Sequence, residues 1–164
     1  MSSTKVKVAI LFGSKSDMPT MQKAAAVFKE FGVSYAAFAV SAHRSPELLA
    51  EILKNLEAGG TDVIIAGAGL AAHLPGVVAS QTLLPVIGVP IGSGGLGGLD
   101  ALLSIVQMPK PVPVATVGVD NAGNAAYLAC EILAIKYPEI KETLINFRKK
   151  TKEELAKDGG AVAL

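Results

Sequence analysis

The side chains best suited to chemistry fall in three short segments of the sequence. The first is Gly13-Ser14-Lys15-Ser16-Asp17, directly ahead of a stretch with helical patterning. Hydroxyls, free backbone N–H groups and the positive end of a helix together make a seat for phosphate. Asp17 would repel phosphate, so its carboxylate suits hydrogen bonds from ribose hydroxyls. The same residues also fit a plain helix cap, with Ser16 or Asp17 accepting from the first turn. The second segment is Ser41-Ala42-His43-Arg44-Ser45-Pro46. Arg44 supplies a planar, permanently charged fork that matches phosphate. Histidine is the side chain whose ordinary titration lies near neutrality, which suits His43 to acid–base work. Taken alone, each reads equally as a solvated charge and a loop histidine; side by side with a serine-rich seat, they point to binding or catalysis.

The third segment, Gly67-Ala68-Gly69-Leu70-Ala71-Ala72-His73-Leu74-Pro75-Gly76, has small residues that let a ligand approach the backbone. His73 is the second of the two histidines, and it fits a structural hydrogen bond at a helix start as well as a substrate contact. A fourth segment, Gly92-Ser93-Gly94-Gly95-Leu96-Gly97, matches the G-x-G-x-x-G pattern, with Asp120 downstream at a suitable distance. Against dinucleotide binding, Pro90-Ile91 separates the preceding strand from the glycines, and that fingerprint belongs in the first strand–helix unit. A mobile lid is the reading adopted for it. The Walker ending Gly-Lys-Ser/Thr is absent, no acidic or histidine spacing suggests a metal, and no nucleophile elbow occurs. The residues alone therefore reach a small phosphorylated ligand, a ribonucleotide, beside a histidine in a dry pocket, with no metal and no cofactor.

These loops need a scaffold that brings them together. Apolar runs Val6–Phe12, Tyr35–Val40, Val63–Gly67, Pro85–Val89 and Val112–Val117 alternate with helical stretches, as in a three-layer α/β fold with a parallel sheet. Right-handed crossovers put every strand's end on one edge. The expected order is 2-1-3-4-5, doubly wound and flavodoxin-like, with its switch point between the first and third strands. Asp17 is expected to cap the first helix, Ser45-Pro46 to open the second, and Asn121–Ile135 to form a long apolar one. An extra C-terminal helix over 138–156 has Ile140, Leu144, Phe147 and Leu155 on one stripe, as an arm laid on a surface; 157–164 reads as a loose tail.

At 164 residues, the whole chain, 1–164, fits a single catalytic domain. It is 51% apolar and only 18% charged, so part of its apolar surface is expected to be covered in a homo-oligomer. A net charge of +1 gives no field for nucleic acid. Cys130 is the single cysteine, which excludes an internal disulfide. No apolar run is long enough to span a membrane, and a soluble, cytoplasmic protein is expected. The absence of Trp disfavours flavin stacking.

Five blocks in order carry a resemblance. Gly13 to Asp17, Ser41 to Pro46, Ala71 to Gly76, Gly88-Val89-Pro90 and Leu102 to Pro109 are similar to the catalytic-subunit family of 5-(carboxyamino)imidazole ribonucleotide mutase, from purine biosynthesis. The resemblance runs from about Val6 to Ile135 and implies an isomerase of flavodoxin-like fold, assembled as an octamer with its site at subunit junctions. It implies phosphate held by Ser14, Ser16, Ser41 and Arg44, ribose hydroxyls by Asp17, and acid–base work by His43. Gly69, His73 and Leu74 would line the pocket around the imidazole and the migrating carboxylate. Transient contact with the ATP-dependent enzyme that forms the carbamate also belongs to that picture. A sister class that carboxylates aminoimidazole ribonucleotide directly typically has Lys in place of Arg44 and lacks the Ala71–Gly76 block. Leu70, Gly92, Ala101 and Pro111 depart from the commonest pattern of Gly, Gln, Ser and Gly. Leu70 is expected to narrow the pocket and Gly92 to loosen the lid.

Overall fold

The computed structural model describes residues 5–157 and Gly159. The chain runs β1 (Val8–Phe12), a 3-10 turn (Lys15–Asp17), α1 (Met18–Glu30), β2 (Tyr35–Ala39), α2 (Pro46–Ala58), β3 (Val63–Gly69) and α3 (Leu74–Ala79). It continues through β4 (Val86–Ile91), α4 (Leu99–Val106), β5 (Ala115–Thr116), α5 (Ala122–Leu133) and α6 (Pro138–Lys157). All strand pairs are parallel, in the order β2-β1-β3-β4-β5. This is the expected doubly wound order.

Helices cover both faces, so the central strands are apolar on both sides and read as unbroken runs. Val8, Ile10, Phe12, Val63, Ile65, Ile87 and Val89 face a layer made by α1, α5 and the start of α6. The alternate residues Ala9, Leu11, Ile64, Ala66 and Val86 face α2, α3 and α4. Gly88 makes the second layer possible: a Cβ there would meet the side chains of Ile105 and Val114.

Several boundaries differ from expectation, each for a local reason. β4 runs on through Pro90 and Ile91 instead of stopping at Val89. Gly88 and Pro90 turn their carbonyls toward β5, accepting from Val117 and Asp120 at 3.1 and 2.8 Å. The N–H that proline lacks would point to that same short edge, where no ladder bond is lost. Pro90-Ile91 therefore does not separate strand from glycines, and that objection to the fourth segment falls. β5 itself shrinks from Val112–Val117 to two residues, since Pro111 and Pro113 remove donors on an edge. β3 extends two residues beyond Gly67, to Gly69.

The arm is half as expected. Ile140 and Leu144 are buried, and Phe147 packs on Phe31 and Tyr127 with centroids 5.2 and 5.3 Å apart, so α6 lies on its own chain. Leu155 is 69% exposed and takes no part. The helix includes Lys157, one residue into the expected tail, and exposed pairs Lys149–Glu153 and Lys150–Glu154 line its last turns. Residues 158 and 160–164 lie outside the described residues.

Candidate active site

Phe12 of β1 pairs with Ala39 of β2 and Gly67 of β3, so three strands reach the same level together. Their following loops open at the β1/β3 switch point, where open parallel sheets bind ligands. A cavity of about 390 Å³ lies there, within the range of small-molecule sites. Ser14, Ser16 and Asp17 reach it from the loop after β1; Ser41, His43 and Arg44 come from the loop after β2; Gly69 comes from the end of β3, His73 from the loop that follows and Leu74 from the start of α3. Every residue singled out from the sequence for the site thus borders one cavity.

The first loop is held by a reciprocal box. Ser14 Oγ accepts from the Ser16 N–H at 3.4 Å, and the Asp17 carboxylate accepts from the Ser14 N–H at 3.0 Å. Asp17 stands at the N-cap of α1 but makes no side-chain cap bond to it. The expected cap is corrected: Ser14 caps the 3-10 turn, and Asp17 reaches backwards because that turn points its side chain at Ser14. Burial pushes the Asp17 carboxyl above the ordinary carboxylate value, against the lowering pull of the bonds from Ser14 and Ser16. The Ser16 hydroxyl donates to Ser14 Oγ at 3.0 Å, so the two hydroxyls form a pair at the cavity wall.

Arg44 leans across to this loop, its Nη2 donating to the Gly13 carbonyl at 3.3 Å. Ser41 Oγ accepts from the Arg44 N–H at 3.3 Å, fixing the second loop before Pro46 starts α2. A guanidinium and a serine pair on adjacent loops form a surface that suits a phosphate.

His43 and His73 meet. Nε2 of His43 and Nδ1 of His73 are 2.8 Å apart, and the rings stand edge to face with centroids at 4.9 Å. His73 occupies the N-cap of the short α3 but makes no side-chain cap bond. Its ring lies against that of His43 instead, so the helix-start reading does not hold for the side chain. The walls beside the pair are small and apolar: Ala42, Ala68, Gly69 and Ala71.

Two features were missed in the sequence. Ser93, at the start of the glycine-rich loop, borders the cavity; its Oγ fills the space that a Cβ on Gly69 would occupy. Its position after β4, on the edge that carries the other loops, was the available signal. Asp120 is tied to that loop's first residue, the Gly92 N–H donating to its Oδ1 at 3.0 Å. Gly92 is thereby tied to Asp120 at the base of the loop. Leu70 does border the cavity, in a left-handed conformation with φ of 54°. Among the described residues no group of three His, Cys, Asp or Glu side chains could hold a metal. No described helix is long and apolar enough to cross a membrane.

The family model for AIR carboxylase matches residues 7–154. The chain belongs to that family. An N5-carboxyaminoimidazole ribonucleotide mutase of Pyrococcus horikoshii is 59% identical over 155 residues, covering 94% of this chain and 88% of the relative. The protein of that name from Escherichia coli is 49% identical over 151 residues, covering 91% and 89%. The crystal structure of Treponema denticola PurE superposes with a TM-score of 0.86 at 31% identity, over 93% of this chain and 96% of that one.

Proposed function

We propose that this member of the family is an N5-carboxyaminoimidazole ribonucleotide mutase, an isomerase of purine biosynthesis. It interconverts that carbamate with 4-carboxy-5-aminoimidazole ribonucleotide by decarboxylation and recarboxylation. The observation that carries the reading is the His43–His73 pair, set in the same cavity as Arg44 and the serine-lined loop.

In this reading Ser14, Ser16, Ser41 and Arg44 hold the phosphate, Asp17 takes the ribose hydroxyls, and the base lies against Gly69, His73 and Leu74. Protonated His43 gives its proton to the carbamate nitrogen as the N–C bond breaks, releasing carbon dioxide and leaving the aminoimidazole. The electron-rich ring carbon attacks the trapped carbon dioxide, forming the new C–C bond. Neutral His43 then removes the proton from that carbon and restores aromaticity. The proton returns to the residue that gave it, so one group serves as acid and then base. His73, hydrogen-bonded to it, orients the His43 ring. Carbon dioxide is apolar, and the Ala and Gly wall retains it without a charge or a metal; the Gly92–Gly98 loop serves as a lid that excludes water. The presence of Arg44 and of the Ala71–Gly76 block favours the mutase over direct carboxylation.

The same reading makes the protein a homo-octamer whose cavity is completed at subunit junctions. Leu96, Leu99, Leu103 and Val106 support it, being between 46% and 66% exposed on α4 and the loop before it. Transient contact with the ATP-dependent enzyme that forms the carbamate is part of the proposal. Sedimentation of the purified protein tests the assembly, and a monomer at micromolar concentration removes it.

Ultraviolet absorbance of the carboxylated imidazole, followed without ATP or metal, tests the reaction. One mixture contains the carbamate ribonucleotide, the other aminoimidazole ribonucleotide with bicarbonate. Fast conversion of the carbamate alone is expected. Fast conversion only with dissolved carbon dioxide would make the enzyme a direct carboxylase, and none in either mixture would end the assignment.

A further inference from the structure

The glycine-rich segment and Asp120, which together resemble a dinucleotide fingerprint, turn out to be bonded to each other. We propose that Asp120 is a positioning residue that anchors the Gly92–Gly98 loop at its hinge and so sets Ser93 against the cavity. The proposal rests on the reading of that cavity as the substrate site.

Three observations carry it. First, Asp120 is gripped from several elements. Its N–H donates to the Pro90 carbonyl at 2.8 Å, its carbonyl accepts from Lys23 Nζ at 3.2 Å, and Thr20 Oγ1 reaches its Oδ1 at 3.5 Å. The residue is thus tied to the end of β4 and to α1. Second, its φ of 56° lies in the left-handed region, which aspartate tolerates better than most residues. That turn brings the carboxylate back over the start of the loop, where Oδ1 accepts the Gly92 N–H at 3.0 Å. Third, Oδ2 lies 2.7 Å from where a Cβ on Gly92 would stand. The carboxylate fills the place of a side chain at 92, so the glycine and the aspartate form a matched pair.

The loop beyond meets Leu70 at Gly94 and Val119 at Gly98 and is otherwise rich in glycine. Gly94, Gly97 and Gly98 all have positive φ, a run that leaves the backbone free to move unless its ends are tied. Ser93 follows the anchored residue directly and packs where Gly69 has no side chain. A charged acceptor on the Gly92 amide therefore limits how far Ser93 can swing. Without it, substrate binding must order the loop, and affinity falls while the chemistry at His43 is untouched.

The test uses Asp120→Gly and Asp120→Asn in the full chain. Glycine keeps the left-handed backbone and removes the acceptor; asparagine keeps both the backbone preference and an acceptor oxygen. Amide hydrogen exchange of the ligand-free protein reads the anchor, and steady-state kinetics with the carbamate ribonucleotide read its use. Asp120→Gly is expected to speed exchange over 92–98 and raise KM about tenfold with kcat within about twofold. Asp120→Asn is expected to restore both to within about threefold of the parent. Unchanged exchange in Asp120→Gly overturns the anchor itself. Faster exchange with an unchanged KM overturns the link to the cavity while leaving the assignment of His43 and Arg44 standing. A fall in kcat without a rise in KM, unrescued by asparagine, also overturns the proposal.

Discussion

Nε2 of His43 and Nδ1 of His73 lie 2.8 Å apart with the rings at 88° to each other. A hydrogen bond between two imidazoles needs one donor and one acceptor, so the tautomers of the two rings are set as a pair. The two substitutions should therefore differ in kind. His43→Asn removes the group that moves the proton, and kcat is expected to fall about 1,000-fold or more while the ribonucleotide still binds. His73→Asn leaves the proton carrier and loosens its orientation, and a fall of about ten- to a hundredfold is expected. Turnover beside calorimetric binding of product checks both. Near-normal turnover of His43→Asn would end the mechanism, and equal losses in the two would make the pair, not His43, the acid–base unit.

Leu70 carries a conformation that leucine seldom adopts. Its φ of 54° costs about 1–2 kcal/mol for a residue with a Cβ. Leu70 is 54% exposed, and its Cδ2 would lie 2.8 Å from a Cβ on Gly94, so the side chain touches the glycine-rich loop but buries too little to offset that strain in full. Leu70→Asn, which suits the left-handed region, is expected to stabilise the fold by about 1 kcal/mol. Leu70→Ile adds branching at Cβ and is expected to destabilise it by about 1 kcal/mol. Denaturant midpoints of the two variants decide this; an isoleucine variant as stable as the parent would mean the backbone there is not strained. Loss of the contact with Gly94 should also raise KM in Leu70→Asn.

How much of this was legible in the sequence follows from what sets each feature. Unbroken apolar runs such as Val8–Phe12 and Val63–Ala68 occur where both strand faces are covered, so the parallel sheet and its loop edge could be read directly. The loops of the cavity followed, because crossovers leave no choice of edge. The end of β4 was not legible, since Pro90 is tolerated only because its missing N–H faces a short neighbour. Neither was the capping of the first loop, where Ser14 and Asp17 exchange bonds around a 3-10 turn that helix periodicity does not reveal. The Asp120–Gly92 bond joins residues 28 apart through a left-handed turn, and sequence spacing pointed to a different chemistry.

Cys130 should be inert while the protein is folded. It is fully buried in α5 beside Ala126, Ala129 and Leu133. Burial, helped by the charge of Glu131, pushes its thiol up to about 12, so almost no thiolate is present at pH 8. An aromatic disulfide reagent at that pH is expected to leave the native protein unlabelled and to label the unfolded one fully. Labelling as fast as that of a free thiol would contradict the burial. Cys130→Ser puts a hydroxyl among apolar neighbours and is expected to cost about 1–3 kcal/mol.

The last prediction concerns acid. Asp62, just ahead of β3, accepts from Lys136 Nζ at 2.7 Å, Tyr137 Oη at 2.8 Å and Lys5 Nζ at 3.3 Å, joining the base of the sheet to the start of α6. Burial alone would raise its carboxyl, but the bonds from Lys136, Tyr137 and Lys5 outweigh it and hold the group below the ordinary value of 3.8. A carboxylate whose folded value is depressed binds fewer protons folded than unfolded just below its ordinary value. Its contribution is therefore complete above that value and disappears as pH falls through the lower, folded one. Asp62→Asn should destabilise the protein by about 1 kcal/mol at pH 6, a modest figure because the lysines are exposed. The gap between parent and variant should stay constant from pH 7 to about 5 and close below about pH 4. Denaturant midpoints across that range measure it. A gap that instead closed near neutrality would assign the effect to another group, and no gap at all would mean that the contacts of α6 with the sheet do not depend on this carboxylate.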